Sequence, residues 1–347
     1  MPMKRQTTGF NPPARHASPQ IAVPDDSPEM DLVYLYANGN DKEWLEKRKQ
    51  YAQDKGNGAC RYRDNNDLLF SLRSVEKYAP WIRRIYIVTD CSLPEWLNTQ
   101  HEKIRIVDHR EIMPAELLPC YNSNVIESFL TRIPDLSEVF LYANDDMFFG
   151  RDVSPGFFVR NGKPVVRMMK TRDDLQIKKN YYQMALWNAN HLIADRFGIR
   201  YPYIPWHNVD VYLKSGIQQC LEDFQEEFLS ASQNRLRSEH DIQRVIFHYW
   251  LISHDACILK TYDMSGTIRR SVYYLKVMLS PSRYFDYVVW KLHDVFRIPL
   301  LKYLLQKRPR CVCLNDTEDS TAEDLVQYRE LLRKMFPQQS AFEKSVY

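Results

Sequence analysis

EVFLYANDDMFFG, residues 138–150, is an apolar run that breaks into Asn144, Asp145 and Asp146 before turning apolar again. A short continuous apolar run bounded by turn residues reads as a buried strand. Similar runs precede it: DLVYLYANGND at 31–41, IRRIYIVTD at 82–90 and KIRIVDHRE at 103–111. Helical spacing lies between them. A Lys- and Glu-rich helix is expected over 42–53, and Leu68, Leu69, Leu72, Val75 and Tyr78 form an apolar stripe that Asp64-Asn65 can cap and Pro80 closes. A further helix is expected over 123–132. Alternating strands and helices predict an α/β fold around a mostly parallel, Rossmann-like sheet. Ligands of such sheets bind beyond the carboxyl ends of the strands. The polar loops at 38–41, Thr89-Asp90 and 144–146 fall there.

The second half has a different texture. Residues 180–251 predict mainly helix, with SGIQQCLEDFQEEFLSA at 215–231 strongly amphipathic. The aromatic and basic stretch 273–305, with Tyr284, Phe285, Trp290, Phe296, Leu300 and Tyr303, reads as a helical hairpin packed on the core; an amphipathic surface resting on a membrane is the alternative. RCVCLND, 310–316, is a short strand ending in Asn315-Asp316, and a charged helix is expected over 322–335.

Bulk properties narrow the function. The 347 residues carry a formal net charge of only +3, without the basic stripe of a nucleic-acid binder. Residues 1–29, rich in Pro, Ser, Asp and Arg, read as a flexible arm with no secretory apolar core. No run approaches the roughly 18 apolar residues of a membrane span. The seven scattered cysteines read as buried, reduced thiols of a cytoplasmic protein.

Several groups can carry chemistry. Asp145 and Asp146 at a strand end suit Mg²⁺ or Mn²⁺, hard ions that bridge diphosphate oxygens; a solvated turn is the bland reading of the same residues. Asn38, Gly39 and Asp41 repeat that pattern at a second strand end, where no P-loop pattern is present. His207, in the expected loop YIPWHNVDVY, is placed to take a proton from an attacking hydroxyl, although most lone histidines are structural. Arg235 and Arg237 suit phosphate binding, or a solvated pair.

In order along the chain, DLVYLYANGND, the long region from RYRDNNDLLFSLRSVEKYAPWIRRIYIVTD through VFLYANDDMFFG, PWHNVDVY with RLRSEHDIQRVIFHYWL, and CVCLND resemble the four conserved regions of the Stealth family. That family comprises bacterial capsular-polysaccharide sugar-phosphate transferases and the related lysosomal-enzyme N-acetylglucosamine-1-phosphotransferase. The resemblance covers most of residues 31–337 and implies a single catalytic domain over 30–337. Within it, 30–170 would be a glycosyltransferase-A-like, nucleotide-sugar-binding half with helices on both sheet faces. Residues 171–261 would be a helical acceptor half, 262–310 a helical insertion, and 311–337 a closing strand and helix.

The implied reaction moves a hexose-1-phosphate from a nucleotide-sugar, UDP-hexose or UDP-HexNAc, to a polysaccharide or oligosaccharide hydroxyl, releasing nucleoside monophosphate. By the resemblance, His207 is the base, Arg237 the phosphate clamp, and Asp146 and Asp41 complete the catalytic set. Asp145 and Asp146 hold a divalent metal. Asn38, Gly39, Arg63, Asp64, Asn122, Ser123, Asn144, Arg235, Asn315 and Asp316 line the substrate. The acceptor could be lipid-linked, which leaves room for peripheral contact at the inner face of the membrane and for a homo-oligomer. Leu35-Tyr36-Ala37 and Asn40 depart from the family's usual first region, which puts sugar or base preference in question. Two rival readings remain: a conventional glycosyltransferase releasing nucleoside diphosphate, and a non-catalytic glycan-binding relative.

Overall fold

The computed structural model describes residues 29–51, 60, 63–171, 180–263, 272, 286–293 and 308–345. The arm expected over 1–29 lies almost wholly outside them. The first strand, β1 (Met30–Leu35), is buried along its length. It pairs in parallel with β2 (Ile85–Val88) on one side and β4 (Val139–Ala143) on the other. β3 (Ile104–Val107) adds to β2, so the sheet runs β3-β2-β1-β4 with every pairing parallel. Strands covered on both faces need the near-continuous apolar runs seen in the sequence. At the amino edge, Asp31 is fully buried and accepts from Arg83 Nε at 2.9 Å, Arg83 Nη2 at 2.7 Å and the Ser137 amide at 2.8 Å. It pins the starts of β1, β2 and β4, while the carboxyl edge opens into loops.

The connecting helices are α1 (Lys42–Lys49), α2 (Asp67–Tyr78), α3 (His109–Ile112) and α4 (Ser123–Ser128). The cap of α2 is one residue later than expected: Asn66 adopts a left-handed conformation, and Asp64 Oδ1 accepts its amide at 2.7 Å.

Past β4 the chain departs further from expectation. β5 (Met147–Phe149) and the hairpin β6 (Val159–Arg160) and β7 (Lys163–Lys170) follow at once. Asn161 and Gly162 take φ of 50° and 69°, the pair of left-handed conformations an Asn-Gly hairpin turn requires. Helix α5 (Tyr181–Phe197) leads to β8 (Tyr203–Pro205) and β9 (Asp210–Leu213). β9 joins the main sheet antiparallel to β4, a strand where only a loop is expected. Its buried run is too short for periodicity to separate strand from helix.

The amphipathic stretch at 215–231 is two helices, α6 (Lys214–Asp223) and α7 (Gln225–Ser232), broken at the buried Phe224, whose ring meets Phe197 edge-on at 6.2 Å. α8 (Val245–Ser253) and β10 (Ile258–Asp263) follow, and β10 lies parallel to β7.

Most of the expected helical hairpin at 273–305 lies outside the described residues. Within it, Tyr287–Lys291 is not helix but a strand, β11, as its run of aromatic and β-branched side chains favours. β11 lies parallel to β12 (Cys311–Asn315), which pairs antiparallel with β5. The last helix, α9 (Ala322–Met335), coincides with expectation and starts on a Thr321–Asp324 capping box. Among the described residues no helix is long and apolar enough to cross a membrane.

Candidate active site

The loop leaving β4 is the centre of the site. Asn144, Asp145 and Asp146 end the strand, and β5 then turns against β12. The Leu314 amide donates to the Asp146 carbonyl at 3.1 Å, and the Cys313 thiol donates to Asp146 Oδ2 at 3.5 Å. His207 arrives from the other side. Because β9 runs antiparallel to β4 with Asp210 opposite Tyr142, the bend before β9 is carried to the end of β4. There Asn144 Nδ2 lies 3.3 Å from His207 Nε2. One ligand atom each from Asp146, His207 and Cys313 lies within 4.8 Å of the others.

The electrostatics suit a cation. Asp146 Oδ1 is buried and has no hydrogen-bond partner among the described residues. Burial pushes the Asp146 carboxyl up to about 6, with Asp316 adding to it. Burial and the neighbouring Asp67, Asp146 and Asp64 push Asp145 well above the carboxylate range. Asp67, which accepts from Tyr328 Oη at 2.5 Å, is pushed up to about 7, first by burial and then by Asp146. Carboxylates that resist ionising together are relieved by a metal ion among them. Burial and Asp146 also keep the Cys313 thiol protonated. It therefore serves as a donor to Asp146, and the set offered to a hard ion is oxygen with one imidazole.

His207 is half-buried, and burial, then Arg244 and Arg237, push its imidazolium down to about 3. It is neutral at physiological pH. Arg244 is buried between Glu127, at 3.2 Å, and Asp210, at 3.4 Å, and packs over the Tyr142 ring at 4.6 Å. Sequence reasoning missed this buried cation, although the helical run that carries it was read; no spacing links Arg244 to Glu127 and Asp210.

The two arginines of the 235–237 loop have different environments. Arg237 Nη2 donates to Ser123 Oγ at 2.8 Å, and its other nitrogens carry no hydrogen bond among the described residues. Arg235 is consumed by the carbonyls of Glu116, Leu118 and Pro119. Three of its five N–H groups are thus engaged by the backbone of the 116–119 segment. Asn122 is also held by the fold. It is fully buried, and its amide donates to the Asn234 and Leu236 carbonyls and to Asp241 Oδ1 at 2.9 Å. It shapes the loop that presents Arg237.

The loop after β1 is likewise built by its own polar residues. Asp41 accepts the Trp44 amide at 2.9 Å, as the cap of α1, and the Ser92 amide at 2.7 Å. Burial alone would raise its carboxyl, but these amides outweigh that and hold it below the usual range. Each Asp41 oxygen accepts one backbone amide, which fixes the carboxylate in the loop after β1. Asn38 is also committed, donating to the Ser92 carbonyl at 3.0 Å and accepting the Asn40 amide at 2.9 Å around Gly39. Asn40 reaches Asp64 at 3.4 Å, and Arg63 pairs with Asp316 at 3.0 Å, which ties this loop region to the end of β12 beside Asn315.

Known proteins match the chain over much of its length. Residues 61–166 match the profile of Stealth protein CR2, conserved region 2. The chain is 30% identical over 349 residues to an exopolysaccharide phosphotransferase, cps2G, of Lactiplantibacillus plantarum, covering 91% of this chain and 96% of that protein. It is 35% identical over 232 residues to a capsular polysaccharide phosphotransferase, fcs1, of Haemophilus influenzae, covering 63% of each. A Streptomyces coelicolor exopolysaccharide phosphotransferase, SCO2592, is 32% identical over 332 residues, and the match spans 33% of its length. Among solved structures, the galactosyltransferase LgtC in complex with donor and acceptor sugar analogues aligns at a TM-score of 0.40 and 12% identity, over 87% of this chain and 95% of that one. The agreement with the plantarum protein along nearly its whole length, together with the match to conserved region 2, shows that the chain belongs to the Stealth family.

Proposed function

We propose that this chain transfers a sugar-1-phosphate from a nucleotide-sugar to a glycan hydroxyl, releasing nucleoside monophosphate in capsular or exopolysaccharide synthesis. The observation that carries the reading is the meeting of Asp146, Asn144 and neutral His207 at one strand end, in a chain whose relatives are named polysaccharide phosphotransferases. Phosphoryl transfer needs a positioned nucleophile, a proton acceptor and positive charge on the equatorial oxygens. His207 Nε2 accepts the acceptor hydroxyl's proton, and Asn144 orients the ring. Phosphate charge brought beside the imidazole raises its basicity from the depressed value it has alone. Arg237, steadied by Ser123, binds phosphate oxygens with its remaining donors. Asp146 with Asp145 holds a divalent cation, Mg²⁺ or Mn²⁺, which supplies Lewis-acid neutralisation of the diphosphate. Arg63 and Asp316 line the entrance with Asn315. Asp41, Asn38, Asn122 and Arg235 support the loops.

The deciding experiment identifies the leaving group. Purified chain incubated with UDP-hexoses, UDP-HexNAcs and an acceptor glycan should release UMP and yield a phosphodiester-linked sugar by ³¹P NMR. Release of UDP with a plain glycosidic product would replace this reading by glycosyl transfer.

A further inference from the structure

At the far end of the three-stranded sheet from Asp146, a cavity of about 110 Å³ is walled by Arg160, Arg167, Lys260 and Arg310, with Asp286 as its carboxylate. Asp286 is already shared: Arg310 pairs with it at 2.7 Å, and Arg151 pairs with it too. Among the described residues, Arg160, Arg167 and Lys260 have no carboxylate partner. Arg167 is only 4% exposed, stacked on the Phe157 ring at 3.7 Å and aligned by the Phe157 carbonyl at 2.7 Å. Lys260 sits opposite Arg167 in the β10–β7 register, so two cations face the cavity from adjacent strands. Burial, and then the neighbouring Arg160 and Arg167, hold the Lys260 ammonium below its usual range. Gathering like charges in a partly dry cavity is unfavourable unless an anion completes it, and guanidinium groups suit phosphate oxygens.

We propose that this basic pocket binds a phosphodiester of the glycan, apart from the site where the new one forms. Strand β12 measures the separation: Arg310 precedes it and Asn315 ends it, about 16 Å apart at roughly 3.3 Å per residue. That span suits an acceptor lying along the sheet, with its growing end at Asp146 and an earlier phosphate in the pocket. The identity of the anion as a glycan phosphodiester rests on the transfer reading above; the anion site itself does not.

Two measurements on the full chain test the two parts. The first is calorimetric titration with inorganic phosphate, comparing wild type, Arg237→Ala and the double variant Arg160→Ser/Lys260→Met. Phosphate affinity should fall at least 10-fold in the double variant and persist in Arg237→Ala, with the double variant's melting temperature near that of wild type. Equal affinity in wild type and double variant, or no binding to wild type, overturns the anion site. No turnover is needed, so this outcome is independent of the transfer reading.

The second measurement is kinetic. With an acceptor oligosaccharide bearing one internal phosphodiester, the double variant should raise KM about 10-fold with kcat little changed. With the same oligosaccharide lacking the phosphodiester, wild type and variant should behave alike. Equal KM effects on both acceptors overturn the glycan assignment. So does an unchanged KM accompanied by lost binding to phosphatidylglycerol vesicles, which would make a membrane headgroup the source of the phosphate.

Discussion

Arg235 and Arg237 stand two residues apart and have opposite duties. Arg237 makes one hydrogen bond, to Ser123, whereas Arg235 makes three, to the 116–119 carbonyls; on the proposal above, the free donors of Arg237 take a phosphate. Arg237→Ala should therefore cut kcat/KM by about 10²–10³-fold, in line with loss of one charge-stabilising donor, at unchanged melting temperature. Arg235→Ala should instead cost about 1 kcal/mol of stability by removing its charged hydrogen bonds to the 116–119 carbonyls, with near-normal turnover of the folded fraction. Equal kinetic losses in both would remove the distinction.

The acidic cluster has its own signature. Burial raises Asp146 to about 6, with Asp316 adding to it, and raises Asp67 to about 7, with Asp146 and Asp64 adding to it. In the unfolded chain both titrate near the ordinary value of about 3.9. The native state thus keeps protons that the unfolded chain has lost, so the contribution is full below about pH 4 and is lost as pH rises through 6 to 7. In EDTA, Asp146→Asn should melt a few degrees above wild type at pH 8, at about 2–4 °C per kcal/mol relieved. The gap should close towards pH 4.5 in a scanning-fluorimetry series. A lower melting temperature for the variant at pH 8 would contradict the cluster's electrostatics.

At the scale of elements, β5 and the entry to β12 are in unusually close contact. The Gly150 amide donates to the Arg310 carbonyl at 3.1 Å, and a Cβ at Gly150 would collide with the Pro309 carbonyl. The obstruction is backbone, which cannot swing aside as a side chain can. Gly150→Ala should cost about 1–3 kcal/mol by forcing the strands apart, read as a lower urea midpoint; an unchanged midpoint would mean that the pairing gives way freely. Elements with strong local signals were legible: β1 to β4 as apolar runs with polar ends, and α9 to its boundaries. The β6–β7 hairpin carried a readable Asn161-Gly162 signal that was passed over. β9 and β11 were hidden for another reason. A run such as Asp210–Leu213 is fixed by β4 lying beside it, and local sequence holds no trace of that neighbour.

For the whole molecule, the sheet and the polar loops at its carboxyl edge were legible, Asn144, Asp145 and Asp146 as a polar break in an apolar run; that His207 would lie beside them was not. What could not be read was the division of labour. Asp41 and Asp146 look alike in sequence, each following an apolar strand; only the fold shows that Asp41 accepts the Trp44 and Ser92 amides while Asp146 Oδ1 has no hydrogen-bond partner among the described residues. The Arg244 cluster and the basic pocket draw on residues scattered between 127 and 310, which only the folded sheets assemble.

The pairing of β5 with β12 also governs when the site can exist. Cys313 follows Asp146 by 167 positions. At about 5–20 residues per second, a ribosome needs roughly 10–30 s to make that interval. Throughout it β5 has an open edge, Asp146 lacks its Leu314 and Cys313 partners, and Arg63 lacks Asp316. A half-made chain can complete its parallel core early but cannot close the pocket. The surroundings of Asp146 are therefore complete only once β12 has emerged.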